Sequence, residues 1–172
     1  MTGEHVRDAA VRDTTAHPFC IHFEDLQIGD SLLTHRRTVT EAEAEADIVA
    51  FGGISGDYFY MHFDNIAAKE SAFGKPIAHG YFVLSAAAGL FVSSAPGPVL
   101  ANCGLDTLRF VKPVGRGDNI QARITAKRKT DRNKKDANGV GQGVVVWDVE
   151  VTNQCGEVVA NYDILALVAK RG

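Results

Sequence analysis

The stretch GYFVLSAAAGLFVSS, Gly80 to Ser94, would carry apolar side chains on every face of the helix it forms. A helix without a polar face has to be covered on all sides. The segment therefore predicts one central helix enclosed by the rest of the chain. Its apolar run, Gly80 to about Val92, falls short of the roughly 20 residues needed to cross a bilayer. Pro96-Gly97-Pro98 ends it, and only strand patterns follow. Leu108 and Phe110 oppose Arg109; Ile120, Ala122, Ile124 and Ala126 oppose Gln121, Arg123 and Thr125; Trp147, Val149 and Val151 oppose Asp148 and Glu150. Period two of this kind marks an antiparallel sheet with one buried face. Val158 to Ala169 is the most apolar strand, preceded by a hairpin turn at Asn153 to Gly156; Lys134 to Gly143 reads as a longer, polar turn.

Working outward toward the N-terminus, DNIAAKESAF (Asp64 to Phe73) predicts a short helix ended by Gly74 and Pro76. Thr40 and Glu43 form a capping box, and Ala44, Ile48 and Phe51 recur at helical spacing, predicting a helix over about 41–51 that Gly52 and Gly53 stop. Ser31 to Val39 alternates as a strand of modest burial, after an entry turn in Phe23 to Asp30. One buried helix among long antiparallel strands is an α+β, hot-dog arrangement: a single sheet wrapped around one helix. Such a sheet leaves edges, and dimerisation by sheet extension covers them.

At 172 residues the chain suits one core, read as a flexible leader over 1–18 and a single domain over 19–172. An apolar content of 45% with a net charge of −3 excludes a disordered chain and gives no footprint for nucleic acid or membrane. Cys20, Cys103 and Cys155 are far apart and lack zinc-site spacing. With no apolar run at the N-terminus to act as a signal, a reduced, cytoplasmic protein is expected.

The chemistry concentrates in Phe51 to Phe82. Asp57 stands five positions before His62 on a loop rich in glycine and aromatics, and Gly80 opens the central helix. An acid and an imidazole can share the protons of a water while helix N-terminal N–H groups hold an oxyanion, which suits addition or removal of water beside a carbonyl. Ser55 is a turn residue that can hydrogen-bond in the site. Phe59 and Tyr60, between the pair, and Tyr81 are read as pocket walls, and Phe82 as core. His79 either meets the acyl chain or fixes the turn before Gly80. The run from Lys127 to Lys135 offers Lys127, Arg128 and Lys129 for phosphate contact, or is a solvated hairpin. No metal site is expected, and no glycine-rich dinucleotide loop is present.

SGDYFYMHFD (Ser55 to Asp64), IAHGYFVLSAAAGLF (Ile77 to Phe91), LRFVKPV (Leu108 to Val114) and NYDILALVAK (Asn161 to Lys170) resemble the MaoC-like, (R)-specific enoyl-CoA hydratase family. They are most similar to the hydratase half of the PaaZ-type oxepin-CoA hydrolases of phenylacetate degradation, here without the aldehyde dehydrogenase half. The resemblance implies Asp57 and His62 as the acid/base pair and Gly80 as the oxyanion donor. Phe59-Tyr60 stands where ordinary members carry Asn-Pro, a departure that fits the PaaZ type. It further implies ring-opening hydration of oxepin-CoA, with no cofactor beyond the CoA of the substrate, in a homodimer or higher homo-oligomer. The semialdehyde product would pass to a separate aldehyde dehydrogenase or condense to a seven-membered carbocycle. Two alternatives stay open: (R)-specific hydration of linear enoyl-CoAs, and a non-catalytic acyl-CoA-binding module. Hot-dog thioesterases place a carboxylate on the central helix, and Tyr81 to Ser94 has none.

Overall fold

Three strands carry the longest pairings: β5 (Asn119–Lys135), β6 (Gly141–Asn153) and β7 (Val158–Ala169). In the computed structural model, which describes residues 11–14, 16–39 and 44–171, they are joined antiparallel so that Ala122 faces Val151, Ile124 faces Val149, and Val149 faces Tyr162. The alternation places Ile120, Ala122, Ile124, Trp147, Val149 and Val151 on one enclosed face, as their period-two pattern requires. The remaining strands are β1 (Arg12–Asp13), β2 (Asp30–Leu33), β3 (Arg37–Thr38) and β4 (Val99–Phe110). The sheet runs β1-β2-β5-β6-β7-β4, with β3 also on β5. All these pairings are antiparallel except β1 with β2.

Against the enclosed face lies α4 (Gly80–Phe91), burying Phe82, Val83, Ala86, Ala87 and Phe91. This is the hot-dog arrangement expected. The helix is not covered all round, however: Tyr81, Ser85 and Gly89 form an exposed stripe at four-residue spacing. The buried sides meet the sheet and, through Phe51 against Phe82, the first long helix. Between β3 and α4 come α1 (Ala44–Ser55), α2 (Tyr60–Phe63) and α3 (Asn65–Glu70). No helix among the described residues is long and apolar enough to cross a membrane.

Several local expectations are corrected. Helix α1 does not stop at Gly52 and Gly53 but passes through both to Ser55. A Cβ on Gly52 would sit 2.6 Å from the Phe63 ring, so this glycine serves a close approach rather than a cap. The capping box at Thr40 and Glu43 lies outside the described side chains. The strand expected over 31–39 is two short pieces, β2 and β3. Residues 128–135 prolong β5, and the polar turn is confined to 136–140. Phe110, expected on a buried face, is exposed. Register shifts between Val99 and Ala101, Asn102 and Gly104, and Asp106 and Arg109 reset which face each side chain takes; Thr107, at φ 55°, marks the last. Within the segment expected to be a leader, Arg12–Asp13 pairs with β2 and Pro18 is buried.

Candidate active site

A tight turn after α1 presents Asp57. Gly56 takes a φ of +74°, open to glycine. Ser55 Oγ donates to the Phe51 carbonyl at 2.6 Å and accepts from the Asp57 N–H at 3.2 Å. Asp57 Oδ1 accepts the Phe59 N–H at 3.1 Å, so Ser55 and Asp57 set the turn jointly and the carboxylate stays exposed.

His62 does not lie on a loop as expected. It belongs to the single turn of α2, with Phe59 as N-cap and Tyr60 as first residue. The ring is buried, and Nδ1 sits 2.7 Å from the Ile77 carbonyl. A carbonyl only accepts, which assigns the proton of the neutral ring to Nδ1 and leaves Nε2 as the acceptor atom. Ile77 is held by a bridge to Gly115 and by its N–H to Met61.

His79 is 1% exposed and stacks on His62, ring centroids 3.8 Å apart. Its Nε2 donates to the Asp57 backbone carbonyl at 2.9 Å, while Nδ1 is buried with no partner among the described residues. Phe51 and Phe63 flank the ring at 5.2 and 5.7 Å. One ligating atom each from Asp57, His62 and His79 lie within 4.8 Å of one another. That set could hold a divalent ion, and the same atoms could hold a water by hydrogen bonds.

Gly80 is the first residue of α4, and its N-cap, His79, provides no side-chain cap. The N–H groups of a first turn lack intrahelical acceptors and carry the positive end of the helix dipole. A Cβ at Gly80 would meet the Phe110 ring at 2.8 Å. Phe110 is thus a wall of the site that sequence reasoning assigned to the core; no local signal marks it, since the contact joins segments 30 residues apart.

Phe59 and Tyr60 pack together at 4.6 Å, both exposed, with Phe59 6.1 Å from His62. Tyr81 is exposed beside Phe110, and Phe82 is buried against Phe51. Lys127 is held by Asp163 at 2.8 Å, and Lys129 donates to the Leu26 carbonyl at 2.6 Å; Arg128 is exposed on the same strand. A separate apolar cavity of about 470 Å³ lies along the C-terminal half of α4, between it and strands β4 and β7, and none of Phe59, Tyr60 or Tyr81 lines it.

The family described as MaoC like domain matches residues 24–148. Protein MaoC of Klebsiella aerogenes is 55% identical over 133 residues, 77% of this chain and 38% of that protein. The (R)-specific enoyl-CoA hydratase of Aeromonas caviae is 34% identical over 79 residues, 46% of this chain and 58% of that enzyme. The chain thus spans about two-fifths to three-fifths of these relatives. Among solved structures, a monoamine oxidase regulatory protein from Archaeoglobus fulgidus superposes with a TM-score of 0.77 at 35% identity. That match covers 95% of this chain and all of the other.

Proposed function

The chain belongs to the MaoC like domain family, and from that premise we propose that it adds water across the α,β double bond of acyl-CoA thioesters, opening oxepin-CoA as its substrate. The observation that carries this reading is the approach of a carboxylate oxygen of Asp57 and a ring nitrogen of His62 to within 4.8 Å, beside the uncapped first turn that begins at Gly80. Water held by the pair attacks the β carbon, and one of its protons passes to the pair. Charge moves onto the thioester oxygen, which the Gly80 N–H receives, and the α carbon takes the proton back. A positioned acid/base contributes about 10²–10⁴-fold and one oxyanion donor about 10²–10³-fold.

In an oxepin-type thioester the β carbon also carries the ring oxygen. The hydrated carbon is then a hemiketal, which expels that oxygen as an enol, and the enol becomes an aldehyde. No further residue and no cofactor besides the substrate's CoA is required. The Phe59-Tyr60 pair beside His62 supports a flat, unsaturated ring over a linear chain. The open-chain semialdehyde would go to a separate aldehyde dehydrogenase or close on itself to a seven-membered carbocycle. Three free cysteines, all exposed, fit a reducing, cytoplasmic setting. The apolar side chains of edge strand β4, with the open stripe of α4, support a homodimer.

Turnover of oxepin-CoA and crotonyl-CoA by the wild type and by Asp57→Asn tests the reading. Ring opening with aldehyde release, lost in the variant, is the expected result. Turnover of crotonyl-CoA alone would make it a hydratase of linear chains. Binding of both thioesters without turnover would favour an acyl-CoA-binding module, a reading in keeping with the regulatory role that the Archaeoglobus relative is named for. The retained Asp57 and His62 speak for catalysis.

A further inference from the structure

We propose that Asp118 is a positioning residue of the hydratase site, holding the turn against which Ile77 rests and thereby the ring orientation and tautomer of His62. The inference deepens the hydratase reading and rests on it. Both carboxylate oxygens of Asp118 are engaged. Oδ2 accepts the Gly115 N–H at 2.6 Å, and Oδ1 accepts from the Gln154 side-chain amide at 2.9 Å. Lys75 Nζ stands 3.9 Å from Oδ2, and the Asp118 side chain is 19% exposed. Gln154 is oriented in turn, since its amide oxygen accepts the Asn119 N–H at 3.0 Å. The backbone beside Asp118 is also fixed: Gly117 donates to the Val39 carbonyl at 2.6 Å, and Val39 to the Asp118 carbonyl at 2.8 Å. A carboxylate that closes a turn on a backbone N–H makes a charge-assisted bond, about twice as strong as a neutral one.

That turn is the surface on which Ile77 is fixed. Ile77 pairs with Gly115 as an isolated antiparallel bridge, and the Ala78 N–H donates to the Val114 carbonyl at 2.8 Å. Ala78 and Val114 are both buried. With this pairing made, Ile77 directs its own polar groups at α2: its N–H to the Met61 carbonyl at 3.2 Å and its carbonyl to His62 Nδ1 at 2.7 Å. A Cβ at Gly115 would meet Lys75 Cε and Nζ at 2.7 Å, so the glycine lets Lys75 cross the turn toward Asp118. Lys75 lies two residues before Ile77. Asp118 therefore holds the bridge from both partners, Gly115 directly and Ile77 through Lys75. The Ile77 carbonyl keeps the His62 proton on Nδ1 and leaves Nε2 to accept. Release of the bridge would let the proton move to Nε2 and remove the acceptor that the acid/base step requires. Through Gln154, the hairpin that joins β6 to β7 thus reaches the catalytic imidazole.

The test compares wild type with Asp118→Asn and Gln154→Ala. The first sets an amide donor against either the Gly115 N–H or the Gln154 amide; the second, at an exposed position, leaves the Asp118 charge and removes a bond that orients it. Two readouts are taken: the ring-nitrogen NMR shifts of His62 in the free protein, which report its tautomer, and kcat and KM separately on the enoyl thioester that wild type turns over. Asp118→Asn should lower kcat about 10- to 100-fold, the cost of misplacing a reacting group by up to about 1 Å. KM should stay within about twofold, and His62 should change from a single Nδ1–H form to a mixture. Gln154→Ala should move both readouts the same way and less. A fall in Tm alone, with His62 still Nδ1–H and kcat unchanged, would overturn the proposal, as would a rise in KM without a fall in kcat. If Asp118→Asn does not fold, Gln154→Ala decides on the same two readouts. Should wild type turn over no thioester, the hydratase reading fails and the NMR still judges Asp118: a changed His62 tautomer supports the positioning role, and an unchanged one refutes it.

Discussion

His79 ties together two residues that the chain separates. By stacking on His62 and donating to the Asp57 carbonyl, it fixes the turn that carries Asp57 and the ring of His62 at once. His79→Phe keeps the ring surface and loses the donor, so kcat should fall about 3- to 10-fold, the value of one ordinary hydrogen bond, with substrate binding little changed; steady-state kinetics measure the split. The Asp57–His62 pair was legible chiefly through the family resemblance of Ser55 to Asp64, since an acid and an imidazole five residues apart are by themselves a weak sign. The Ile77 carbonyl that sets the His62 tautomer was not, since any residue supplies a carbonyl and only the tertiary bridge to Gly115 aims this one. The stack of His79 on His62 was equally hidden, because no sequence spacing encodes two rings meeting across 17 positions.

At the scale of elements, glycine misled where its purpose was packing. Gly52 sits inside α1 because the Phe63 ring occupies the place of its side chain, and Phe63 in turn packs edge-on to His62 and His79. Gly52→Ala gains about 1 kcal/mol of helix propensity yet must displace that ring. Lower turnover with an unchanged or reduced Tm is expected, from thermal melts beside kinetics. The 3-10 turn Pro18–Cys20 is capped differently: His17 Nδ1 accepts the Phe19 N–H at 3.1 Å, and burial lowers the His17 pKa, partly offset by a backbone hydrogen bond to Phe91. An imidazole lowered on folding favours the folded state while neutral. Its contribution is full above about 6.5, the unfolded value, and is lost as pH falls through the lower folded value. Wild type should therefore lose more Tm than His17→Gln between neutral and mildly acid pH. Strands β5, β6 and β7 were legible throughout, because an unbroken period of two allows one register. Strand β4 was not, since each bulge reverses the alternation that the sequence appears to carry.

Across the whole molecule, one margin of the sheet carries exposed apolar side chains: Leu100, Leu105, Phe110 and Val111 on or just after β4, with Tyr81 of the uncovered α4 stripe beside Phe110. Leu105→Lys should convert the expected dimer to monomer in analytical ultracentrifugation and leave the melting of the core sheet cooperative. The opposite margin is built differently. There β1 is two residues long, its Arg12 bonds Asp30 at 2.6 Å, and Asp13 bonds Arg123 at 2.8 Å. A brief, charged edge strand is a poor template for another chain. The sheet therefore has one margin that can recruit and one that refuses. A tile with two receptive margins stacks into a filament; a tile with one would meet its own kind receptive margin to receptive margin, which closes the sheet's growth in that direction.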